Sequence, residues 1–297
     1  MTRMLVTGVG GFTGQHLIAL TKKDVEVHGL VRGDTPLPEG VFAQHVCDLN
    51  DLESIRKIVA DIKPDSVVHL AGAAFVGRAD VEAFYRTNLL GTRNLLDALA
   101  SLDKAPQAVL VASSANVYGN QRTGAISEDM APDPVNDYGV SKVGMEYVTR
   151  IFGKSLPIIV TRPFNYTGVG QSTDFLIPKI VDHIRRREPT ITLGNTEIAR
   201  DFSDVRDVVG AYLELMNNPK AIGEVVNICS GQAYKLNDIL DMVRSLSGHD
   251  FEIVVDPKLV RANEIKELWG DRTKLNSLIA RQDIIPLKET LRWMLDS

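Results

Sequence analysis

A tyrosine and a lysine stand four residues apart in "YGVSK", Tyr138 and Lys142. In a helix, positions i and i+4 share a face, which sets the phenol beside the ammonium. A neighbouring positive charge favours the phenolate and lowers a tyrosine pKa that is otherwise about 10. Such a pair serves as an acid or base near neutrality. The plain alternative is a surface helix carrying an ordinary tyrosine and lysine, so the rest of the chain has to decide.

A second constellation opens the chain. "TGVGGFTG" carries Gly8, Gly11 and Gly14, with Phe12 and Thr13 between the last two. The spacing is G-x-x-G-x-x-G rather than G-x-G-x-x-G, but the physics is shared. Glycines permit a tight turn and let the backbone approach a pyrophosphate at a helix N-terminus. Its place between an apolar run and a helical pattern points to dinucleotide binding. In "VEVHGLVRGD" the position for an acid on the ribose 2′-hydroxyl of NAD holds Val31, and Arg32 follows. An arginine there suits the 2′-phosphate of NADP; the alternative is a solvent-facing loop residue. Asp34 falls two residues further on, in the loop. Asp48 and Leu49 fall where adenine is read. Leu70, Ala71 and Gly72 in "HLAGAA" lie beside the cofactor's phosphates and ribose. His69 reads as a packed core histidine, and no His/Cys/Asp cluster has metal spacing, so no metal is expected.

The elements that must position these groups alternate. "MLVTG", "VEVHGLV", "VFAQHV", "DSVVHLAG", "AVLVASS" and "PIIVTRPFN" are β-rich runs separated by amphipathic stretches. That rhythm predicts βαβ units and an α/β, doubly wound parallel (Rossmann) sheet covered on both faces. After about residue 166 the rhythm changes: "DFLIPKIVDHIRRRE" reads as one helix, "VVNICSG" as one more sheet strand, and the rest as mostly helical with short extended pieces such as "FEIVVD". The expected division is a dinucleotide-binding domain over residues 1–165 plus about 203–228. A smaller, mostly helical substrate lobe then takes about 166–202 and 229–297. The "RRR" at 185–187 reads as a solvated helix face.

Composition narrows the class. The 297 residues are 44% hydrophobic and 24% charged with a net charge of −5, which suits a globular protein and gives no basic footprint for nucleic acid. Cys47 and Cys229 are far apart in sequence, and two buried thiols are the expectation, in a cytoplasmic protein. The glycine-broken start does not read as a signal peptide, and no run reaches the 18 apolar residues of a membrane span.

Taken together, "TGVGGFTG", "SSANVYG" and "YGVSK" in this order resemble the extended short-chain dehydrogenase/reductase family of nucleotide-sugar enzymes, the epimerase/dehydratase family, over essentially the whole chain. "RPFNYTGVGQ", "ARDFSDVRDV" and "RANE" resemble its sugar-nucleotide branch, with the greatest likeness to GDP-6-deoxy-D-lyxo-4-hexulose (GDP-6-deoxy-D-mannose) reductases. The resemblance implies a catalytic set of Ser114, Tyr138 and Lys142. In that set Lys142 binds the nicotinamide ribose and depresses the Tyr138 pKa, Tyr138 moves the proton, and Ser114 hydrogen-bonds the substrate oxygen. It implies nucleotide-sugar contacts from Asn165, Arg200 and Arg261, with Lys179 and Glu264 at the pocket's edge, and a homodimer formed through a helix bundle. Dehydratases of the family carry an acidic pair or Ser-Glu after the catalytic Ser/Thr. Here Ala115 and Asn116 stand there, which argues against 4,6-dehydration.

Three readings follow. The first is NADPH-dependent reduction of the 4-keto group of a nucleotide-linked 4-keto-6-deoxyhexose. The second is a 4-epimerase that keeps NAD bound through turnover. The third is a non-catalytic dinucleotide sensor, which the intact Ser114, Tyr138 and Lys142 set argues against, because binding alone does not require it.

Overall fold

The computed structural model describes residues 1–33, 36–74, 81–120, 124–257, 267–281 and 283–297. Strand β1 (Thr2–Thr7), helix α1 (Phe12–Leu20), β2 (Val25–Val31), β3 (Val41–Val46), α2 (Leu52–Ile62) and β4 (Ser66–His69) form the first half of the sheet and its cover. A short α3 (Val81–Ala83) runs through a π-helical stretch, Phe84–Gly91, into α4 (Thr92–Ala100). Then come β5 (Ala108–Ala112), a 3₁₀ turn (Ala115–Tyr118), β6 (Gly124–Ile126), α5 (Asp137–Phe152) and β7 (Ile158–Pro163). The second part contains β8 (Asn165–Thr167), α6 (Leu176–Arg185), β9 (Thr190–Leu193), β10 (Ala199–Arg200), β11 (Phe202–Asp204), α7 (Val205–Met216) and β12 (Val225–Ile228). It closes with β13 (Tyr234–Lys235), α8 (Leu236–Ser247), β14 (Glu252–Val255), β15 (Glu267–Gly270), α9 (Thr273–Leu278) and α10 (Leu287–Leu295).

Among the described residues the main sheet has seven strands in the order β12-β7-β5-β4-β1-β2-β3, every pair parallel. Parallel strands need both faces covered, which is why their sequences are continuous apolar runs. One face packs Val6, Leu17, Val68 and Leu110 under α1 and α7. The other packs Leu5, Val67 and Val109 under α2, α4 and α5. In α2, Ile55, Val59 and Ile62 recur at helical spacing and are buried; each is worth about 1.5–3 kcal/mol of apolar burial. Asp51 caps that helix by accepting from the Ser54 amide. Strand order reverses between β1 and β4, the point at which open α/β sheets bind ligands off the carboxyl ends of their strands.

A third core, with Ile180, Val181, Ile239, Leu240 and Leu291, joins α6, α8 and α10. Leu275 and Ile279, late in the chain, pack instead into the core beneath α7. The sequence reading did not foresee the second sheet, β13-β10-β15-β6, built from pieces of two to four residues. Pieces that short carry no local periodicity; their pairing is set by distant segments. The short extended piece it did read, "FEIVVD", forms β14 and pairs in parallel with β9. Both cysteines are buried and unbridged, and Arg185, Arg186 and Arg187 are exposed.

Candidate active site

The glycine turn is shaped by contacts rather than by glycine content alone. Gly8 has φ of +73°, a left-handed conformation, and a Cβ there would sit 2.8 Å from the Ala71 amide nitrogen. A Cβ on Gly14 would fall 2.5 Å from the Val9 carbonyl oxygen. The loop between β1 and α1 is therefore held close against the end of β4. Gly11 caps α1 with no side chain, leaving the first helical amides to an incoming anion. Thr7 ties the two strand ends together: its carbonyl accepts from Leu70 N at 3.1 Å and its hydroxyl from Ala71 N at 3.2 Å. This cradle, which a side chain would fill, fits a dinucleotide pyrophosphate.

His69 is the core residue the sequence suggests. It is bonded to Thr7 Oγ1 at 2.6 Å and Thr92 Oγ1 at 2.8 Å, and burial pushes its pKa to about 3. Arg32 follows β2 directly and is exposed. Asp48 is also exposed, and its carboxylate accepts two bonds from Asn50 that hold its pKa low, with the Arg32 charge adding to the effect. Leu49 is buried under Gly91. Phe12 stacks on Tyr166 at 6.0 Å, and Thr13 Oγ1 bonds the Tyr166 hydroxyl at 2.8 Å.

Tyr138 and Lys142 lie in the first turns of α5, capped by Asn136, whose side chain accepts from the Gly139 amide at 2.8 Å. Both side chains are buried. Ser114, just past β5, lies close to Tyr138. Its hydroxyl oxygen accepts from the Asn116 amide and the Asn116 side-chain nitrogen, each at 3.1 Å. Lys142 Nζ donates to the Ala112 carbonyl at 2.8 Å, and a Cβ on Gly72 would stand 3.5 Å from that nitrogen. The serine, tyrosine and lysine thus gather near the end of β4, where the strand order reverses.

One expectation is corrected here. Lys142 was expected to hold the Tyr138 pKa down. Burial instead pushes Tyr138 up to about 12, with Ser114 opposing the rise, and Lys142 is not among the causes. Burial also brings Lys142 down to about 8, with Glu146 opposing. The cause is desolvation: neither charge is favoured among packed side chains.

The substrate-side residues divide. Asn165 Nδ2 donates to the Asp201 carbonyl at 3.2 Å, which brings it next to Arg200. Arg200 is half-buried, with Nη1 on the Ala199 carbonyl at 2.8 Å. Lys179 is exposed on α6 and reaches the Thr192 carbonyl at 3.4 Å. Arg261, Glu264 and Asp34 lie outside the described residues.

Several contributors escaped the sequence reading. Tyr166 joins the glycine turn to the Tyr138 region. Asn88, in the π-helical stretch, bonds both backbone groups of Ala73 and the Ser141 hydroxyl. Glu146 and Arg162 form a buried two-point ion pair at 2.9 and 2.7 Å, and Ser113 Oγ donates to the same carboxylate at 2.6 Å. Asp201, fully buried, accepts from Ser230 N and Oγ and from the Gly231 and Gly270 amides. A signal did exist for Glu146: it is four residues beyond Lys142, on the same helix face. Among the described residues no three His, Cys, Asp or Glu side chains gather to hold a metal, and no helix is long and apolar enough to cross a membrane.

A seven-stranded parallel sheet with a glycine turn at its reversal point and a Ser-Tyr-Lys set beside it defines a Rossmann-type oxidoreductase of the extended short-chain dehydrogenase/reductase class. Residues 5–294 match the sequence model of the GDP-mannose 4,6 dehydratase family, and the chain belongs to that family. It is 36% identical over 280 residues to GDP-6-deoxy-D-talose 4-dehydrogenase of Aggregatibacter actinomycetemcomitans, covering 93% of this chain and 91% of that protein. It is 34% identical to GDP-6-deoxy-D-mannose reductase of Pseudomonas aeruginosa, covering 99% and 96%. The structure of that organism's RMD complexed with NADPH superposes with a TM-score of 0.84 at 31% identity, covering 100% of this chain and 98% of that one. A Burkholderia cenocepacia J2315 structure, described provisionally as an epimerase, has a TM-score of 0.93 at 47% identity over 99% and 97%.

Proposed function

We propose that this chain uses NADPH to reduce the 4-keto group of a GDP-linked 4-keto-6-deoxyhexose. The observation that carries the reading is the convergence of Ser114, Tyr138 and Lys142 on the end of β4, beside a cradle built for a dinucleotide. Two relatives named for GDP-6-deoxyhexoses, one of them as a 4-dehydrogenase, support the substrate class. The Pseudomonas structure complexed with NADPH supports the cofactor, as does Arg32 at the end of β2, where a guanidinium meets a 2′-phosphate with charge-assisted hydrogen bonds. The nicotinamide, when bound, supplies the hydride.

The chain does the rest. Tyr138, protonated because its pKa is near 12, is a proton donor throughout the neutral range. Ser114 is assigned to hydrogen-bond and orient the same oxygen. Lys142, charged below about pH 8, stabilises negative charge that develops as the tyrosine gives up its proton. Gly8, Gly11, Gly14 and the Phe12–Thr13 turn hold the pyrophosphate, Leu70, Ala71 and Gly72 flank the ribose, and Asp48 and Leu49 face the adenine. Asn165, Arg200 and Lys179 take the nucleotide diphosphate, and Arg261 and Glu264 are assigned to the same lobe. Ala115 and Asn116 supply no carboxylate for water elimination, so dehydration is not the reaction. The working division remains residues 1–165 and 203–228 for cofactor, with 166–202 and 229–297 for substrate.

A 4-epimerase with tightly held NAD is the second reading, favoured by the provisional description of the Burkholderia structure. The deciding experiment incubates purified protein with NADPH and a panel of GDP- and UDP-linked 4-keto-6-deoxy sugars, and without added cofactor with the matching 4-hydroxy sugars, following cofactor oxidation and configuration at C4 by NMR. Stoichiometric NADPH consumption with GDP-linked ketone supports the reductase. Co-purifying NAD, with C4 inversion and no net cofactor change, overturns it.

A further inference from the structure

We propose that the buried Glu146–Arg162 ion pair, through Ser113 and Tyr118, is a clamp that positions Ser114 against the helix carrying Tyr138 and Lys142. The proposal rests on the assignment of Ser114, Tyr138 and Lys142 as the catalytic set, and not on which sugar the chain reduces.

The set draws on two elements that need a common register. Ser114 follows β5 and caps the 3₁₀ turn Ala115–Tyr118, whereas Tyr138 and Lys142 ride on α5. A displacement of about 1 Å between such groups costs about a hundredfold in rate. Glu146, one helical turn beyond Lys142, joins the two elements. Its Oε1 accepts from Ser113 Oγ at 2.6 Å and from Arg162 Nε at 2.9 Å, and its Oε2 accepts from Arg162 Nη2 at 2.7 Å. Arg162 Nη1 donates to Tyr118 Oη at 2.9 Å, with the guanidinium carbon 4.8 Å from the centre of the tyrosine ring. Tyr118 in turn donates to Asn227 Oδ1 on β12 at 2.7 Å. Ser114 is thereby bracketed. The residue before it is tied to the carboxylate, and the last residue of the turn it caps is tied to the guanidinium. Lys142 adds a third tie, to the Ala112 carbonyl at 2.8 Å.

Stability alone does not account for this network. The side chains of Arg162 and Glu146 are 3% and 4% exposed, and a buried ion pair is often no more stable than well-packed apolar residues of the same volume. A planar fork on a carboxylate offers direction instead, because its paired hydrogen bonds form in one geometry. That geometry acts on residues 113 and 118, on either side of Ser114. The two serines of "SSANVYG" divide the work accordingly. Ser113 holds the turn to α5, and Ser114 is left to serve the substrate oxygen.

The test is a double-mutant cycle against Ser114 on the full-length protein. Ser113→Ala and Tyr118→Phe each delete one hydroxyl of the clamp and leave the ion pair in place. The chemical step is followed as single turnovers under excess enzyme, with the 4-keto sugar and NADPH or, should the wild type be the epimerase, with the 4-hydroxy sugar and bound NAD. Each variant is expected to lose about three- to tenfold in rate and the two together about ten- to a hundredfold, the scale of one and two hydrogen bonds. NADPH affinity and the half-saturating sugar concentration should stay nearly unchanged. Placed on Ser114→Ala, the same substitutions should lower its residual rate by less than about twofold, since no hydroxyl is left to position. Equal losses in the two backgrounds show that the network acts on the fold at large rather than through Ser114. Unaltered rates with Ser114 present show that it positions nothing. Either result overturns the proposal. If the paired substitutions unfold the chain, each single variant is run through the same cycle. A wild type that turns over neither sugar sinks the catalytic reading instead, and hydrogen exchange without substrate then decides on the clamp. Amides 114–119 should exchange at least about tenfold faster in the variants than in wild type, and an unchanged rate overturns it.

Discussion

At the level of single side chains, Tyr138 and Lys142 show how burial overrides proximity. The sequence correctly sets them on one helix face. It does not reveal that β4, β5 and the π-helical stretch close over that face, and the sign of the tyrosine shift depends on that closure. Tyr138→Phe keeps the ring that packs on Phe84 at 5.8 Å but removes the proton, so turnover should fall by about a hundredfold or more while cofactor affinity holds. Near-normal rates, measured under saturating cofactor, would sink the assignment. The lysine gives a sharper test through pH. With its pKa near 8, Lys142 is charged below that value and neutral above it, so activity should decline as pH rises through about 8. Glu146 raises the Lys142 pKa, so Glu146→Gln should move the declining limb to lower pH. A limb that stays in place, or moves up, shows that the group titrating is not Lys142.

Elements explain which parts of the site were legible. The glycine turn, "SSANVYG" and "YGVSK" each sit at one junction of strand and helix, where local spacing and chemistry coincide. The structure sets those segments on the elements their patterns suggest, although the lysine does not hold the tyrosine pKa down as expected. Asn88, Tyr166 and Asp201 act across long sequence separations, and a local pattern cannot show that Asp201 receives amides from residues 230, 231 and 270. The same holds for the β13-β10-β15-β6 sheet. The Gly14 contact gives the element-scale test. A Cβ 2.5 Å from the Val9 carbonyl meets backbone, which cannot swing away as a side-chain tip can. Gly14→Ala should therefore displace the start of α1 from the end of β1, weaken cofactor binding at least tenfold and lower the melting temperature. Calorimetric titration with NADPH, alongside thermal denaturation, checks both. An unchanged affinity would mean that this turn does not form the cradle.

For the whole molecule, the open question is what covers the outer face of α5. Val140, Tyr147 and Ile151 stand on it at helical spacing, with exposures of 42%, 57% and 73%, and Leu90 at the end of the neighbouring π-helical stretch adds another 48%. Scattered apolar residues are ordinary on a surface, but several on one pair of packed helices form a patch that water disfavours. The same helix carries Tyr138 and Lys142 on its inner face, so a partner on the outside would also stiffen the catalytic side. A second copy of this chain, packed helix against helix about a two-fold axis, covers the patch with its own equivalent and closes the assembly at two. The expected state is a homodimer, with twice the 32.6 kDa chain mass in sedimentation or light scattering. Tyr147→Glu together with Ile151→Glu places four like charges in the interface of such a dimer and should yield a folded monomer with an unchanged circular dichroism spectrum. Wild type that sediments as a monomer at micromolar concentration, or a double variant that still dimerises, shows that this face is not the interface.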